Sequence, residues 1–279
     1  MRGKLYVCGT PIGNLEDVSI RLLKTLRKVD LIACEDTRHT IILLNRYKIK
    51  NKLVSYHEFS KPGKTAYLLE QLKLGLSVAV VSDAGMPTIS DPGEGLVRRA
   101  IEAGFEVEVI PGPSACTAAL AIAGIDSSSF IFAGFLPSKV AKRRETITSF
   151  KSESRTVILY EAPHRLVATL ADIATLLGEQ RSIVVARELT KLHQEVQRGR
   201  VKEVLGYYQQ NRPRGEICML LPASEDEGSI VDMDVVMKET RELIRGGMEK
   251  KEAFKLKARQ YNIPKSTIYG CFIKANNED

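Results

Sequence analysis

Three clusters of acids and bases stand where apolar runs end: Glu35, Asp36 and Arg38 in EDTRH, Glu161, His164 and Arg165 in YEAPHR, and Glu188 with Lys191 in ARELTK. Such groups can accept a proton from a weakly acidic hydroxyl, which makes Asp36, Glu161, Glu188 and Lys191 candidates for proton transfer. The same carboxylates could instead cap helices or close internal ion pairs. Arg38 and Arg165 are planar guanidiniums suited to phosphate, or plain surface residues. His39, His57, His164 and His193 are too dispersed to predict a metal site. A different pattern is SDAGMPTISDPG at 82–93, with two Asp, two Pro, two Gly and little bulk. A tight turn needs only roughly two to four residues, so this stretch reads as a ligand wall, or as a wide crossover in which Asp91 caps the next helix.

Five loops follow strand-like runs in the first half: GTPIGNLED, EDTRHT, HEFSKPGK, SDAGMPTISDPG and PGPSACTA. GTPIGN lacks the Gly-Lys-Ser/Thr of a phosphate loop and does not fit GxGxxG, which weakens ATP and NAD readings. Asp83, Ser90, Asp91 and Ser114 with many backbone amides suit a neutral-to-cationic ligand that has an adenosine and an amino-acid end, and not a triphosphate.

Strand-like runs at 4–8, 31–34, 53–56, 78–81 and 107–110 alternate with amphipathic segments, which predicts an α/β architecture with mostly parallel strands. A second set follows at 130–134, 157–160, 183–186, 195–199 and 216–221, with a helix over 165–177 among them. EVQRG and EICMLL are polar enough to be antiparallel or edge strands. Pro111-Gly112-Pro113 marks the junction, and the acidic, breaker-rich PASEDEG at 222–228 marks a linker to a helical end. The expected domains are 1–110, 111–223 and 232–279.

With 279 residues, 44% of them hydrophobic, the chain can bury a real core. Cys8, Cys34, Cys116, Cys218 and Cys271 are odd in number and scattered, without a CxxC pair, as expected in a reducing compartment. Met1-Arg2-Gly3-Lys4 leads straight into strand-like sequence, and no run approaches the ~20 apolar residues of a membrane span. A cytoplasmic protein without membrane association is expected. The net charge of +7 points to a polyanionic partner.

GTPIGNLED, DLIACEDTRHT, VSDAGMPTISDPG, VIPGPSA, YEAPHR and ARELTKLHQE, in this order and spacing, resemble the tetrapyrrole methylase (class III methyltransferase) superfamily, in particular its bacterial rRNA ribose 2′-O-methyltransferases. The resemblance spans about residues 4–275. It implies two α/β domains with S-adenosylmethionine between them, a small helical C-terminal extension, and a homodimer. The implied substrate is cytidine 1402 in the decoding region of 16S rRNA, within the small ribosomal subunit. By the same resemblance Pro11 and Gly13, in the 9–13 turn, lie beside the cofactor. Asp83, Gly85, Met86, Pro87 and Ile89 surround its methionine and ribose, and Ser114 and Ala115 add a hydroxyl and helix-start amides. Tetrapyrrole relatives usually carry Asp at the end of the first loop and Gly-Asp-Pro in the second, where this chain has Asn14 and Ser82-Asp83-Ala84. The implied reaction needs no metal.

RNA contacts are expected from Arg38 and Arg165 at the cleft, from Arg143 and Arg144 in SKVAKRRE, and from Lys255 and Lys265 in the tail. SKVAKRRE alone is the kind of charge run that is usually a solvated helix face. Residues 248–275 carry seven Lys or Arg against two Glu, a net +5. There Phe254, Ala258 and Tyr261 share one helical stripe, Pro264 can start a second helix, and Ile268 with Phe272 continues the apolar side. This pair of helices resembles a helix-turn-helix, or else a hairpin that only packs. Two rivals remain: a methyltransferase of precorrin-like tetrapyrroles, and a non-catalytic rRNA-binding assembly factor.

Overall fold

The structure is a computed structural model that describes residues 3–57, 62–224, 233–261, 263 and 265–276. The chain forms two compact units, Met1–Ser224 and Glu225–Asp279.

In the first unit, β1 (Lys4–Cys8), β2 (Leu31–Cys34), β3 (Leu53–Ser55), β4 (Val78–Val81) and β5 (Glu106–Ile110) form a sheet in the order β3-β2-β4-β1-β5. All its pairings are parallel. The helices between them are α1 (Ile20–Lys28), α2 (Thr37–Arg46), α3 (Pro62–Lys73) and α4 (Glu94–Glu102). LIAC and VAVV are apolar without interruption because both sheet faces are covered. The strand period of two sorts them: Leu31, Ala33, Val78 and Val80 pack with Leu68 and Leu72 of α3 and Leu96 and Ala100 of α4. Ile32, Cys34, Ala79 and Val81 pack with Leu22 and Leu26 of α1 and Leu43 and Leu44 of α2. The chain leaves β1 toward β2 and leaves β4 toward β5, in opposite directions, although β1 and β4 are neighbours. Their carboxyl ends therefore frame the crevice where open α/β sheets collect ligands.

The second sheet holds β6 (Phe130–Phe135), β7 (Thr156–Glu161), β8 (Ser182–Arg187), β9 (Glu195–Arg200) and β10 (Ile217–Leu221) in the order β6-β7-β10-β8-β9. Only β6 and β7 pair in parallel; the other pairings are antiparallel. One face packs on α6 (Val140–Ser149), α7 (Leu166–Leu177) and α8 (Val201–Gln210), the other on α5 (Ala115–Ala123). Ile12 from the first loop joins the α5 cluster and ties the two halves together. β9 is an edge strand, as its polarity foretold. β10 is antiparallel but lies mid-sheet with all five residues buried, because its polarity is confined to Glu216, just before it.

Arg143 requires a correction. SKVAKRRE does begin α6, but Arg143 shares the inward helix face with Ile147 and is buried. Its Nε and Nη2 lie 2.8 and 2.6 Å from Oδ2 of Asp172 on α7, and Arg144 Nε lies 2.8 Å from Oδ1. Arg143 therefore presents no charge to RNA. Arg144 keeps an exposed but paired guanidinium.

The second unit comprises α9 (Met233–Arg245), α10 (Lys250–Gln260) and α11 (Lys265–Asn276). Val236, Met237, Phe254 and Ile268 form its core, with Ala258, Tyr261 and Phe272 against it. Lys257 faces inward: its Nζ lies 2.6 Å from Glu239 Oε2, which also accepts a hydrogen bond from the Tyr261 hydroxyl at 2.7 Å. Lys250, Lys251, Lys255, Arg259 and Lys265 are exposed. Met1 and Arg2, residues 58–61 of HEFSKPGK, the linker from Glu225 to Gly228, and Asn262 and Pro264 between the last helices lie outside the described residues.

Candidate active site

A cavity of about 320 Å³ opens at the crevice, within the range of roughly 300–1,000 Å³ usual for small-molecule sites. From the first half it is lined by Ile12 and by Ala84, Gly85, Met86, Ile89, Ser90 and Asp91 of the long loop. The second half supplies Ser114 and Ala115 at the start of α5, Phe135 at the end of β6, Tyr160 to Pro163 at and just beyond the end of β7, and Gly215 to Cys218 before and along β10.

The long loop is tied to the first by an isolated antiparallel bridge: Thr10 N–H donates to Gly85 C=O at 2.9 Å and Gly85 N–H to Thr10 C=O at 3.2 Å. Thr10 Oγ1 also donates to Ser82 C=O at 3.1 Å. Beside the bridge the first loop nearly touches the Pro111-Gly112-Pro113 segment, since a Cβ on Gly9 would sit 2.7 Å from Gly112 N. Gly85 has φ +83°, a conformation that glycine adopts without penalty. Among the described residues the non-glycine positions with positive φ are Lys48, Thr88, Ser90, Glu188 and Thr190. Four of these five sit on the long loop and on the loop after β8. Backbone strain of this kind gathers at functional sites, where surrounding structure holds it in place.

The start of α5 is the polar end of the cavity. Ser114 occupies the N-cap position, yet its side chain makes no capping hydrogen bond, so of the first-turn amides that of Ala115 is offered to a carboxylate while that of Cys116 is taken by Tyr160. Tyr160 stiffens the opposite wall by accepting the Cys116 N–H at 3.1 Å and stacking edge-on against Phe132 and Phe135.

Of the residues expected around the cofactor, Gly85, Met86, Ile89, Ser114 and Ala115 line the cavity. Pro11, Gly13, Asp83 and Pro87 are not among the lining residues. Gly13 packs on the loop after β8, where a Cβ would meet Lys191 Cγ at 2.5 Å. Asp83 accepts the Asp36 N–H at 3.0 Å and faces His39 Nδ1 at 3.0 Å, so it braces the end of β2.

The four proton-transfer candidates are all engaged. Asp36 is the N-cap of α2 and pairs with Arg38; the hydrogen bonds from Arg38 hold its carboxyl down at about 2. Glu161 reaches the cavity wall, but its carboxylate accepts from Ala162 N–H at 2.8 Å and Thr169 Oγ1 at 2.6 Å and pairs with Arg165 at 3.2 Å. Glu188 takes Lys191 Nζ at 2.7 Å and Glu216 N–H at 3.0 Å. Against the burial that pushes it up, these contacts hold Glu188 below the usual carboxylate range. Lys191 is raised despite its burial by hydrogen bonds to Glu188 and Glu216, so it stays charged near neutrality and is a poor base. Arg38 is exposed and held by Asp36 alone among its described ion pairs. Arg165 spends Nη2 on Leu136 and Pro137 carbonyls, at 2.8 and 3.2 Å, and its guanidinium is largely buried.

Phe135, Tyr160 and Glu216 were not singled out for the site from sequence, and Asp91 was named among the ligand-loop residues but not as a proton acceptor. For Asp91 the signal was present, since its position in the loop was read as either wall or helix cap. The N-cap of α4 is Gly93, so Asp91 is wall. Among the described residues no three His, Cys, Asp or Glu gather as a metal site.

Residues 4–205 match the family of tetrapyrrole (corrin/porphyrin) methylases. A ribosomal RNA small subunit methyltransferase I from Thermotoga maritima is 50% identical over 80% of this chain and 100% of its own length. Proteins of the same name from a Synechocystis species and from Bacillus subtilis are 44% and 42% identical. They cover 96% and 97% of this chain, and 96% and 94% of their own lengths. Among solved structures, a cobalt precorrin-4 methyltransferase shares the fold with TM-score 0.61 at 18% identity, over 78% of this chain and 94% of its own. A diphthine synthase does so with TM-score 0.60 at 15% identity, over 78% and 89%.

Proposed function

The chain belongs to the tetrapyrrole methylase family, and from that premise we propose that it transfers a methyl group from S-adenosylmethionine to the ribose 2′-oxygen of a cytidine in 16S rRNA, at nucleotide 1402. The observation that carries the proposal is the 40–50% identity to small subunit methyltransferase I proteins over most of the chain, joined to a cavity whose chemistry fits the donor. S-adenosylmethionine supplies, when bound, a methyl group already activated on a sulfonium. The cavity suits it in three ways. The uncapped start of α5, with Ser114 and Ala115, offers donors to a carboxylate. Gly85, at positive φ in the lining, presents bare backbone to the ligand. Met86, Ile89 and Tyr160 supply apolar walls that exclude water.

The chain's own contribution is then positioning, which converts two reactants into neighbours. Gly13 acts by packing on the loop after β8 and Asp83 by bracing the end of β2, while Pro11 and Pro87 stiffen the backbone next to the lining residues Ile12 and Met86. The Glu188–Lys191–Glu216 network fixes the far loop. The parts divide as 1–110 and 111–223 around the cleft and 232–279 as a basic RNA-docking module. We place the enzyme in the cytoplasm, where ribosomal subunits are its substrate, and as a homodimer, which sedimentation at twice the chain mass would support. No helix among the described residues is long and apolar enough to cross a membrane.

Incubation with labelled S-adenosylmethionine and small-subunit particles, naked 16S rRNA, or a tetrapyrrole tests the substrate class. Label in the RNA of the particle supports the proposal; label in the tetrapyrrole overturns it.

The module's part is tested by ending the chain after Ser224. That residue still belongs to the first unit, since its N–H donates to Glu153 C=O at 2.7 Å, and the Thermotoga relative is matched in full by 80% of this chain. The shortened protein is expected to keep its affinity for S-adenosylmethionine. Its RNA affinity should fall about tenfold near physiological salt, and the dependence of log affinity on log salt should become shallower by about 3, as expected when four or five phosphate contacts are lost. Equal salt slopes would make the module a packing element.

A further inference from the structure

We propose that Asp91 is the proton acceptor for the ribose 2′-hydroxyl. This deepens the reading of the site as a ribose methyltransferase and rests on it. Three carboxylates reach the cavity lining: Asp91, Glu161 and Glu216. Glu161 is saturated by Ala162, Thr169 and Arg165, and Glu216 is paired with Lys191. Asp36 and Glu188 carry cations of their own and stand outside the lining. Asp91 has no ion pair with Lys, Arg or His among the described residues. It is half-buried, and its backbone is fixed by the strained stretch that holds Thr88, Ser90 and Gly93 at positive φ.

The groups that face it are acids. Glu35 stands at the end of β2, Asp83 after β4 with His39 on it, and Glu216 before β10, with the Ser82 hydroxyl also near. Burial first, and then the charges of Glu35 and Asp83, push the Asp91 carboxyl up to about 7, against the smaller opposing effect of Ser82. A base matched to neutral pH is what general-base catalysis favours. In the step, the 2′-O–H bond breaks and its proton passes to an Asp91 oxygen. The freed electron pair forms the C–O bond to the methyl group, and the pair of the broken methyl–sulfur bond stays on sulfur. Asp91 then returns the proton to water.

The test is the single-turnover rate of methyl transfer to small-subunit particles against pH, for the wild type and Asp91→Asn, with S-adenosylmethionine affinity measured by calorimetry. A carboxyl raised to about 7 ionises as pH rises, so the wild-type rate should climb about tenfold per pH unit below 7 and level off above it. Asp91→Asn should lose about a hundredfold at pH 8, lose the inflection, and keep cofactor affinity within about threefold. A thermal readout is independent of turnover. The folded pKa lies above the unfolded value, so the wild type loses stability relative to Asp91→Asn as pH rises from about 4 to 7, and the gap is constant above that. Wild-type rate in Asp91→Asn, a persisting inflection, or loss of cofactor binding would overturn the assignment while leaving the substrate reading intact. A wild type that labels no RNA would overturn that reading instead.

Discussion

Gly85→Val is expected to reduce affinity for S-adenosylmethionine by between about thirtyfold and several-thousandfold while the protein stays folded. Gly85 has φ +83°, and an added Cβ would lie 3.3 Å from Ile12 Cγ2 and 3.5 Å from Pro113 C=O. The left-handed conformation costs an L-residue roughly 1–2 kcal/mol, and the two branches of Val crowd a filled space for roughly 1–3 kcal/mol more. The loop relieves this by giving up the Thr10–Gly85 bridge, which moves Met86 and Ile89 away from the cavity wall. The binding-competent arrangement then becomes a minor population, and apparent affinity falls in proportion. Calorimetry decides the matter, with circular dichroism to confirm folding. Wild-type affinity in Gly85→Val would mean that the long loop is not the cofactor wall.

Asp172→Ala is expected to cost about 3–5 kcal/mol of stability, because it leaves the buried guanidinium of Arg143 without a counter-charge. Asp172 and Arg143 side chains are only 5% and 8% exposed. Although burial pushes the Asp172 carboxyl up, Arg144 and Arg143 hold it below its usual range. A carboxyl with a lowered folded pKa stabilises the fold above its unfolded pKa and loses that contribution as pH falls through the folded value. The difference between wild type and Asp172→Ala should therefore be full near pH 7 and shrink in acid. Urea unfolding at both pH values measures it. Replacing the pair by Arg143→Met with Asp172→Leu should recover most of the loss, since apolar side chains of similar volume leave no orphaned charge. A single-variant loss under about 1 kcal/mol would return Arg143 to the solvated face on which its neighbours lie.

The architecture was legible because it is written in local periodicity. LIAC and VAVV read as buried strands, and the loops after β1 and β4 read as a ligand site, since small residues and prolines say so without reference to any partner. What escaped was pairing across long separations. Arg143 read as a basic surface residue because Asp172 stands 29 positions on, and Lys257 likewise because Glu239 lies on another helix. Asp36, Glu161, Glu188 and Lys191 had the right chemistry and a place at strand ends, yet each is engaged by a close sequence neighbour, Arg38 for Asp36, Arg165 for Glu161, and Glu188 and Lys191 for one another, the internal ion pairs that the sequence had left open. Asp91 was passed over for the converse reason: its distinction is the lack of a described cation and the acids gathered round it, and neither property has a sequence pattern.

The central claim is that this cavity delivers a methyl group to a ribose oxygen, and digestion of labelled 16S rRNA to nucleosides tests it most directly. Small-subunit particles from cells lacking this protein would be treated with the wild type and labelled S-adenosylmethionine, and the nucleosides separated by chromatography and mass spectrometry. All label is expected in 2′-O-methylcytidine, with none after treatment with Gly85→Val at matched concentration. Label in a base-methylated nucleoside, or none in RNA at all, would contradict it.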